Sequence, residues 1–368
     1  QKGKVANSVT NYKRVLQYDP LLKKAIRRNL LTERIDIVKS LGWYRDSTTL
    51  TDVDMKYLLL YLEQNYGLSV EKKLIDAVTI IANENRYHPI CDFLNRLEWD
   101  GMERIRFCLH HFLGADIDEY TYEAMKLFLL GAIARVFHPG CKFETMLCLV
   151  GGQGAGKSSF FRLLAIKDDW FTDDLKKLDD ENVYRRLRGH WIIELSEMVA
   201  TARAKSIEEI KSFLSRQKEN YKDLYALHAV DRPRQCVFGG TSNKKKFLPF
   251  DRTGNRRLVP VQTDCSQMEV HILSNEKESR AYLEEAMVIF RSGNFKLAFS
   301  RELEEELDKL RLEFMAEDTE AGVIQAWLGE HEDMKVCSLM IFKEALDNPY
   351  VKPKKSDTDR ICEIMNSS

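Results

Sequence analysis

Apolar residues in the first third of the chain recur at the spacing of helices. Residues 53–66 (VDMKYLLLYLEQNY) carry an apolar side chain every three or four positions, and Gly67 follows as a helix stop. A second helix is predicted over residues 70–85, where the same spacing continues. We therefore expect a helical N-terminal domain over residues 1–120.

The pattern changes after residue 120. A helix over residues 121–137 leads to a short, wholly apolar run at Met146–Val150. Similar short runs follow at residues 191–193, 236–238 and 257–261. Short apolar runs that alternate with helices are typical of buried parallel strands. The chain is thus expected to be an α/β protein, with a three-layer core over residues 121–264.

The last third returns to helical spacing. Leu303, Leu307 and Leu310 fall on one face of a predicted helix. A small helical module is expected over residues 336–368, and this segment is compatible with a truncated form of a longer module. We therefore predict a helical C-terminal region over residues 265–368.

Composition excludes several classes of protein. The 368 residues are 44% hydrophobic and 31% charged, with a formal net charge of −1, which is typical of a soluble globular protein. The longest apolar run, residues 127–137, contains Arg135 and is too short to span a membrane. The eight cysteines form no Cys-x-x-Cys pair, and no His pair has zinc-ligand spacing. We expect a cytoplasmic protein with reduced thiols, no zinc and no membrane.

The charges are distributed unevenly. Residues 201–262 hold 14 Lys and Arg against 6 Asp and Glu, whereas residues 265–368 hold 13 against 22. Such asymmetry is compatible with ordinary solvated faces. The basic segment also contains most of the motifs below, and this favours a site for a polyanion.

A glycine-rich motif follows the Met146–Val150 run. Residues 151–158 read Gly-Gly-Gln-Gly-Ala-Gly-Lys-Ser, the phosphate-binding P-loop pattern. Glycines let the backbone turn its N–H groups towards phosphate oxygens. Lys157 is expected to reach the β- and γ-phosphates of ATP, and Ser158 to give its hydroxyl to Mg²⁺. The predicted nucleotide-binding residues are Gly151, Gly152, Gln153, Gly154, Ala155, Gly156, Lys157, Ser158 and Ser159.

Two carboxylates follow the next apolar run. Glu194 ends that run and Glu197 lies three residues further on. Hydrolysis of ATP needs one group for Mg²⁺ and one to orient the attacking water. We assign the metal to Glu194, together with Ser158, and the water to Glu197, although the two glutamates could exchange roles. Either glutamate could also be a plain surface or helix-start carboxylate.

Two further polar groups complete the predicted catalytic set. Asn243 ends the run Val-Phe-Gly-Gly-Thr-Ser-Asn and is expected to sense the γ-phosphate, although Thr-Ser-Asn alone is more typical of a turn. Arg256 and Arg257 follow in Gly-Asn-Arg-Arg. One of them is expected to act as an arginine finger on the ATP of a neighbouring subunit. The alternative is a pair of surface arginines that close a loop.

These motifs together resemble the virulence-associated protein E family of phages, plasmids and genomic islands. The residues that carry the likeness are Tyr87-His88-Pro89, Trp99-Asp100-Gly101, Pro139 to Phe143, the P-loop, Glu194 to Glu197, Lys211 to Arg216, Thr241-Ser242-Asn243 and Gly254 to Arg257. The family's members are P-loop ATPases similar to superfamily 3 helicases. The resemblance implies an AAA+-like core, a Walker A site at Lys157 and Ser158, a Walker B site at Glu194 and Glu197, and a sensor at Asn243. It also implies a DNA helicase with 3′→5′ polarity in a hexameric ring.

A basic segment with interleaved tyrosines lies between Glu194 and Asn243. In superfamily 3 helicases the matching interval holds loops that project into the central pore. Lysines and arginines there would contact phosphates, and tyrosines could stack on bases. The predicted contacts to single-stranded or forked DNA are Lys211, Arg216, Lys218, Tyr221, Lys222, Lys244 and Lys245. The alternative is a solvated helix, because several acidic residues dilute the charge.

Three functions remain in competition at this stage. The favoured one is an ATP-driven DNA helicase or translocase for replication of a mobile element, with ATP sites between subunits. The second is a nucleotide-switched DNA scaffold or origin loader that hydrolyses slowly and does not unwind. The third is a small-molecule kinase, which would need neither a finger from a neighbour nor a basic insert.

Overall fold

The protein was analysed as a computed structural model. It describes residues 5–175, 183–196, 204–222, 228–248, 256–269, 276–315, 319–329, 331 and 335–365. Among the predicted site residues, Glu197 lies outside these ranges. All of the other predicted site residues lie within them.

The N-terminal unit mixes helices with a small sheet. Its elements are α1 (Val9–Tyr18), β1 (Ile26–Asn29), β2 (Ile35–Ile37), α2 (Asp52–Tyr66), α3 (Glu71–Glu84) and β3 (Arg86–Tyr87). The predicted helices are confirmed as α2 and α3. Thr51 and Asp54 form a capping box at the start of α2, and Gly67 ends the helix with a φ of 70°. The three-stranded sheet, in the order β2-β1-β3, was not predicted.

Three helices after His88 belong to the central core instead. They are α4 (Pro89–Leu94), α5 (Ile105–Leu113) and α6 (Glu119–Phe137). Their buried side chains, such as Phe112 and Phe128, pack in one cluster with Leu147 and Leu149 of the central sheet. The N-terminal unit has its own separate cluster, built around Tyr12, Leu16, Leu58 and Leu62. The hydrophobic cores therefore divide near residue 88 rather than near residue 120.

The centre of the molecule is a parallel sheet of five strands. The elements of this region are β4 (Met146–Val150), α7 (Lys157–Leu164), β5 (Phe171–Thr172), α8 (Val183–Leu187), β6 (Ile192–Ser196), α9 (Ala204–Ser215), β7 (Lys218–Tyr221), β8 (Val230–Pro233), β9 (Val237–Ser242) and β10 (Leu258–Gln262). A single 3₁₀ turn at Asp168–Trp170 precedes β5. The sheet order is β10-β4-β9-β6-β5, and every pairing in it is parallel.

Side chains on both faces bury this sheet. One cluster includes Leu147, Leu149 and Phe161, and the other includes Met146, Cys148 and Phe238. Alternate residues of β4 thus enter opposite clusters, as period-two side chains must. The close fit requires Gly239 of β9, because a Cβ there would lie 2.4 Å from the Phe161 ring. The three-layer α/β arrangement follows from this double burial, and the predicted strands are confirmed to within a few residues.

β7 and β8 form a separate antiparallel hairpin between α9 and β9. Lys218 pairs with Pro233 at the base of the hairpin, and Tyr221 pairs with Val230 further along. This hairpin was not predicted, because charged residues occupy half of its strand positions and leave no apolar alternation.

The remaining elements are helical, as predicted. They are α10 (Glu276–Ser292), α11 (Arg301–Phe314), α12 (Thr319–Gly329), α13 (Ser338–Met340), a π-helical turn (Ile341–Ala345) and α14 (Lys355–Met365). Helices α10 and α11 pack on the central core through Leu283, Met287 and Leu307. The helices from α12 onward share a small cluster of their own around Ile324, Ile341, Ile361 and Ile364.

Three global features bear on function. Among the residues that the structure describes, no helix has both the length and the apolar character needed to cross a membrane. All eight cysteines fall in described segments and are free thiols. The described ranges also contain no group of three His, Cys, Asp or Glu side chains placed to hold a metal ion.

Candidate nucleotide site

The glycine-rich loop connects β4 to α7 at the carboxyl edge of the sheet. Gly154 and Gly156 have φ values of 81° and 74°, in the left-handed region that glycine tolerates best. Gly151 lies against the chain that leaves β10, where an added Cβ would come 2.1 Å from Thr263 Oγ1. Helix α7 begins at Lys157, so its N-terminal N–H groups and its dipole face the loop.

Lys157 is the cation of this loop and lies largely inside the protein. Its Nζ donates hydrogen bonds to the carbonyl oxygens of Gly151 (2.8 Å) and Gly152 (2.6 Å) and to Asn243 Oδ1 (3.1 Å). Burial lowers the pKa of Lys157, while the nearby Cys265 and Glu194 oppose that shift. The side chain is thus held by neutral acceptors rather than by an ion pair.

Glu194 is fully buried beneath the loop and is the third of the five residues of β6. Its Oε1 accepts hydrogen bonds from three hydroxyls: Thr241 Oγ1 (2.6 Å), Ser158 Oγ (2.8 Å) and Ser196 Oγ (3.1 Å). Its Oε2 is buried and has no hydrogen-bond partner among the described residues. A buried, unsatisfied carboxylate oxygen beside a hydroxyl is a donor set that Mg²⁺ accepts. Glu194 and Ser158 therefore fit the predicted metal site.

Lys157 and Ser158 line one cavity of about 410 Å³, and Glu194 lies buried behind it, where it accepts a hydrogen bond from Ser158. The cavity is lined by Gln153, Gly154, Ala155, Gly156, Lys157, Ser158, Ser159, Ser196, Thr241 and Asn243. Asn243 follows the end of β9, which lies between β4 and β6. The structure thus brings together Lys157, Ser158, Glu194 and Asn243, which are far apart in the sequence.

Sequence reasoning missed two members of this group, Ser196 and Thr241. Ser196 ends β6 and Thr241 is the penultimate residue of β9, and the two are direct partners in the β6–β9 register. The sequence did contain a signal, namely a polar residue near the carboxyl end of each strand, because carboxyl ends of adjacent parallel strands meet at one edge of a sheet. It could be used only once those two strands were known to be neighbours.

Arg256 and Arg257 lie at the opposite edge of the sheet. The Met146 N–H donates to the Arg257 carbonyl (2.8 Å), so both arginines sit where β4 and β10 begin. The five residues of β4 separate them from the loop by roughly 16 Å at about 3.3 Å per residue. Neither arginine can reach the glycine-rich loop of its own chain. Arg257 Nε donates to Glu144 Oε2 (2.8 Å), whereas Arg256 is exposed.

Three of the predicted DNA contacts belong to the β7–β8 hairpin. Lys218 and Lys222 are exposed, and Lys218 Nζ lies 2.5 Å from Asp231 Oδ2. Tyr221 has one face against the Arg232 guanidinium, 4.1 Å from the ring centroid, and stacks on Tyr184 at 6.1 Å. The Arg232 guanidinium covers one face of Tyr221, and the stacking of a base on this residue stays a prediction.

Lys211 and Arg216 are also less available than predicted. Lys211 is buried with only 4% of its surface exposed, because it shares a face of α9 with Ile210 and Leu214, which enter the core. The prediction that Lys211 contacts DNA is therefore corrected, because this side chain lies inside the protein. Arg216 is half-exposed, and its Nη1 donates to the Tyr184 hydroxyl (2.6 Å).

Lys244 and Lys245 form a second, exposed basic group just after β9. The hairpin lies before β9, so the length of that strand separates the two groups, roughly 20 Å at about 3.3 Å per residue. Lys245 Nζ is also 3.5 Å from Glu313 Oε2. The two groups that the sequence suggested as one DNA site therefore lie at opposite edges of the sheet.

One family model and several solved structures match this chain. No curated protein matches the chain. The C-terminal region of NrS-1, in an A-form apo structure, is similar in fold, with a TM-score of 0.52 and 14% identity over 98% of this chain and 95% of that one. Another apo structure of that region gives a TM-score of 0.49 at 14% identity, over 95% of this chain and 93% of that one. The family model of the virulence-associated protein E-like domain matches residues 94–316, more than half of the sequence. The chain therefore belongs to the virulence-associated protein E-like family.

Proposed function

We propose that this chain is an ATP-dependent DNA helicase or translocase that acts in the replication of a mobile element. The observation that carries the proposal is that Lys157, Ser158 and Asn243 line one cavity, with the buried Glu194 hydrogen-bonded to Ser158. This set contains a cation for phosphate, two oxygen donors for Mg²⁺ and an amide beside the cation. The sheet would be an AAA+-like core, which is supported by the position of the Asn243 and Glu194 strands on one side of β4.

Each residue then has a definite task in hydrolysis. Lys157 exchanges two backbone carbonyls for phosphate oxygens, and the N–H groups of the loop and of α7 hold the same phosphates. Ser158 and Glu194 would hold Mg²⁺, which when bound neutralises charge on the β- and γ-phosphates. Asn243 touches Lys157, so it responds to the position of that lysine. Glu197 keeps its proposed role on the attacking water.

The position of the two arginines supports assembly into a ring. They lie too far from their own phosphate loop to act there, and a finger must come from a neighbouring chain. Arg256 is the better candidate, because Arg257 is committed to Glu144. We propose that ATP sites form between subunits, with the loop of one chain facing Arg256 of the next.

A second function, a nucleotide-switched DNA scaffold, is favoured by one observation. Several cations of the hairpin region are already paired within the chain: Lys218 with Asp231, Arg232 with Glu33 and Arg216 with the Tyr184 hydroxyl. Engagement of DNA would have to exchange these contacts, and such an exchange suits a switch as well as a motor.

ATP hydrolysis measured with and without single-stranded DNA at low salt separates the two functions. Stimulation of hydrolysis by DNA, followed by strand separation in an unwinding assay, is expected for the motor. Slow hydrolysis that DNA does not accelerate, together with nucleotide-dependent DNA binding, would favour the scaffold. Absence of ATP binding would contradict both the motor and the scaffold.

A further inference from the structure

Three hydroxyl groups converge on one oxygen of Glu194. Glu194 Oε1 accepts hydrogen bonds from Thr241 Oγ1 (2.6 Å), Ser158 Oγ (2.8 Å) and Ser196 Oγ (3.1 Å). The three residues that carry these hydroxyls line the nucleotide cavity, whereas Glu194 itself is fully buried behind them. The effect of the Glu194 carboxylate on a cation in that cavity therefore depends on this layer of hydroxyls.

The three hydroxyls differ in how firmly the fold holds them. Ser158 lies in the first turn of α7, and Ser196 is the last residue of β6. Thr241 lies within β9, where it pairs with Leu149 of β4 on one side and with Ser196 of β6 on the other. Thr241 is also buried, and its branched Cβ restricts the rotation of its side chain. The sheet therefore fixes the Thr241 hydroxyl more firmly than the other two.

The hydrogen bond from Thr241 is also the shortest of the three. A separation of 2.6 Å is typical of a hydroxyl that donates to a carboxylate, and such bonds are stronger than those between neutral groups. Glu194 Oε2 has no hydrogen-bond partner among the described residues. The donors on Oε1 therefore set the orientation of the carboxylate, and Thr241 makes the largest contribution to it.

The orientation of the carboxylate matters for the hydroxyl of Ser158. A hydroxyl has one hydrogen to donate and two lone pairs. While Ser158 donates its hydrogen to Glu194, its lone pairs remain available to a cation in the cavity. Groups that orient the ligands of a metal in this way typically change metal affinity by about 10- to 100-fold when they are removed.

We infer that Thr241 is a positioning residue for Mg²⁺: its hydroxyl holds the Glu194 carboxylate in place, and that carboxylate in turn orients the Ser158 hydroxyl for the metal. The inference rests on the proposed function for the identity of the ligand, Mg²⁺ together with ATP. It gives Thr241 a role in metal binding and none in holding the phosphates.

The test is the affinity of the full chain for a fluorescent, non-hydrolysable ATP analogue, measured in saturating Mg²⁺ and in EDTA. Thr241→Val replaces the hydroxyl by a methyl group and keeps the shape of the side chain. Thr241→Ser and Thr241→Ala form a second pair, whose members differ from each other only in the hydroxyl. The control is Thr172→Val, the same substitution in β5 of the same sheet, outside the cavity. Thermal unfolding without nucleotide checks that each variant is folded.

We expect the factor by which Mg²⁺ tightens binding of the analogue to be about tenfold smaller in Thr241→Val than in the wild type. Affinity in EDTA should be unchanged, because the hydrogen bonds of Lys157 go to Gly151, Gly152 and Asn243. Thr241→Ser and the control should behave as the wild type does, and Thr241→Ala as Thr241→Val does.

An equal effect of Mg²⁺ on Thr241→Val and on the wild type would overturn this inference and leave the proposed function standing. Equal weakening in Mg²⁺ and in EDTA would also overturn it, because it would indicate a structural role for Thr241. If Thr241→Val does not fold, the serine and alanine variants provide the same comparison, and failure of the alanine variant to fold as well would overturn the inference. A wild type that does not bind the analogue would overturn both the inference and the proposed function.

Discussion

The carboxyl edge of the five-stranded sheet gathers its polar groups into one small space, whereas the amino edge spreads its charges over a wide surface. At the carboxyl edge, Lys157, Ser158, Glu194 and Asn243 line or underlie a single cavity within one chain. At the amino edge, Arg257 and the cations of the hairpin are distributed over separate elements, and several of them already have acidic partners.

The difference shows which parts of the proposed ATPase function a single chain can perform alone. Four residues of the proposed nucleotide site are already close together in the single chain, because neighbouring parallel strands position them. The amino edge has contacts to exchange, so its function depends on DNA or on a second copy of the chain. Variants at the carboxyl edge should therefore act on chemistry, and variants at the amino edge on assembly and DNA binding.

The largest effect is expected from Lys157→Ala. Loss of the buried cation removes the charged partner of the β- and γ-phosphates, and ATP hydrolysis should fall by about a hundredfold or more. Steady-state phosphate release measures this. Lys167→Ala is the control, because Lys167 follows the same helix but lies over the Trp170 ring, outside the cavity. Hydrolysis at the wild-type rate in Lys157→Ala would contradict the assignment of the nucleotide site to the carboxyl edge.

Glu194→Gln should separate stability from activity at that edge. Gln keeps an acceptor for the hydroxyls of Ser158 and Thr241 but removes a buried charge with an unsatisfied oxygen. We expect hydrolysis to fall about a hundredfold, while the thermal midpoint of the nucleotide-free protein does not fall. Calorimetric melting with and without Mg²⁺–ATP provides both readouts. A strongly destabilised variant with normal hydrolysis would mean that Glu194 is a structural residue.

The two arginines at the amino edge should differ in role: Arg257 contributes to stability and Arg256 to hydrolysis in the assembled protein. Arg257→Ala breaks a half-buried pair with Glu144 and should lower the free energy of unfolding by about 1 kcal/mol. Arg256→Ala should leave stability unchanged and should reduce hydrolysis only in assembled protein. Mixing Arg256→Ala with Lys157→Ala subunits should restore part of the activity. If no mixture recovers activity although rings are present, the finger assignment fails.

The smallest effect is expected at the hairpin. Lys218→Ala with Lys222→Ala should weaken binding of single-stranded DNA by about threefold to tenfold and reduce its salt slope by about 1.4. Asp231→Asn, which releases Lys218 from its partner, should strengthen binding instead. Anisotropy with a labelled oligonucleotide measures both variants. Unchanged affinity in both would place the DNA contacts elsewhere.

The sequence predicted the carboxyl edge better than the amino edge, for a physical reason. The P-loop is a contiguous motif, and β4 and β9 are apolar runs that only buried strands explain. Glu194 and Asn243 could be proposed because each ends such a run. Ser196 and Thr241 could not, because their meeting depends on strand order, which no local pattern encodes.

At the amino edge the relevant information is long-range. The β7–β8 hairpin and the β1–β2–β3 sheet carry many charged and polar positions. Some ion pairs there join residues far apart in the sequence, such as Glu33 of the β1–β2 turn with Arg232 of β8. The burial of Lys211 and the stacking of Tyr184 on Tyr221 also arise from tertiary packing. DNA contacts at these positions were predicted from residue type alone. Lysine and tyrosine favour such contacts only when they are exposed, and exposure depends on the tertiary packing.

The hydrogen bonds of Lys157 in the nucleotide-free protein have a calorimetric consequence. Its ammonium group already has three acceptors, Gly151, Gly152 and Asn243, at distances between 2.6 and 3.1 Å. A phosphate that binds there replaces these acceptors instead of adding to them, so this lysine contributes to the heat of binding only the difference between two sets of contacts. Titration calorimetry of nucleotide binding should accordingly record a modest enthalpy from this lysine, and much of the temperature dependence of affinity should come from other parts of the site.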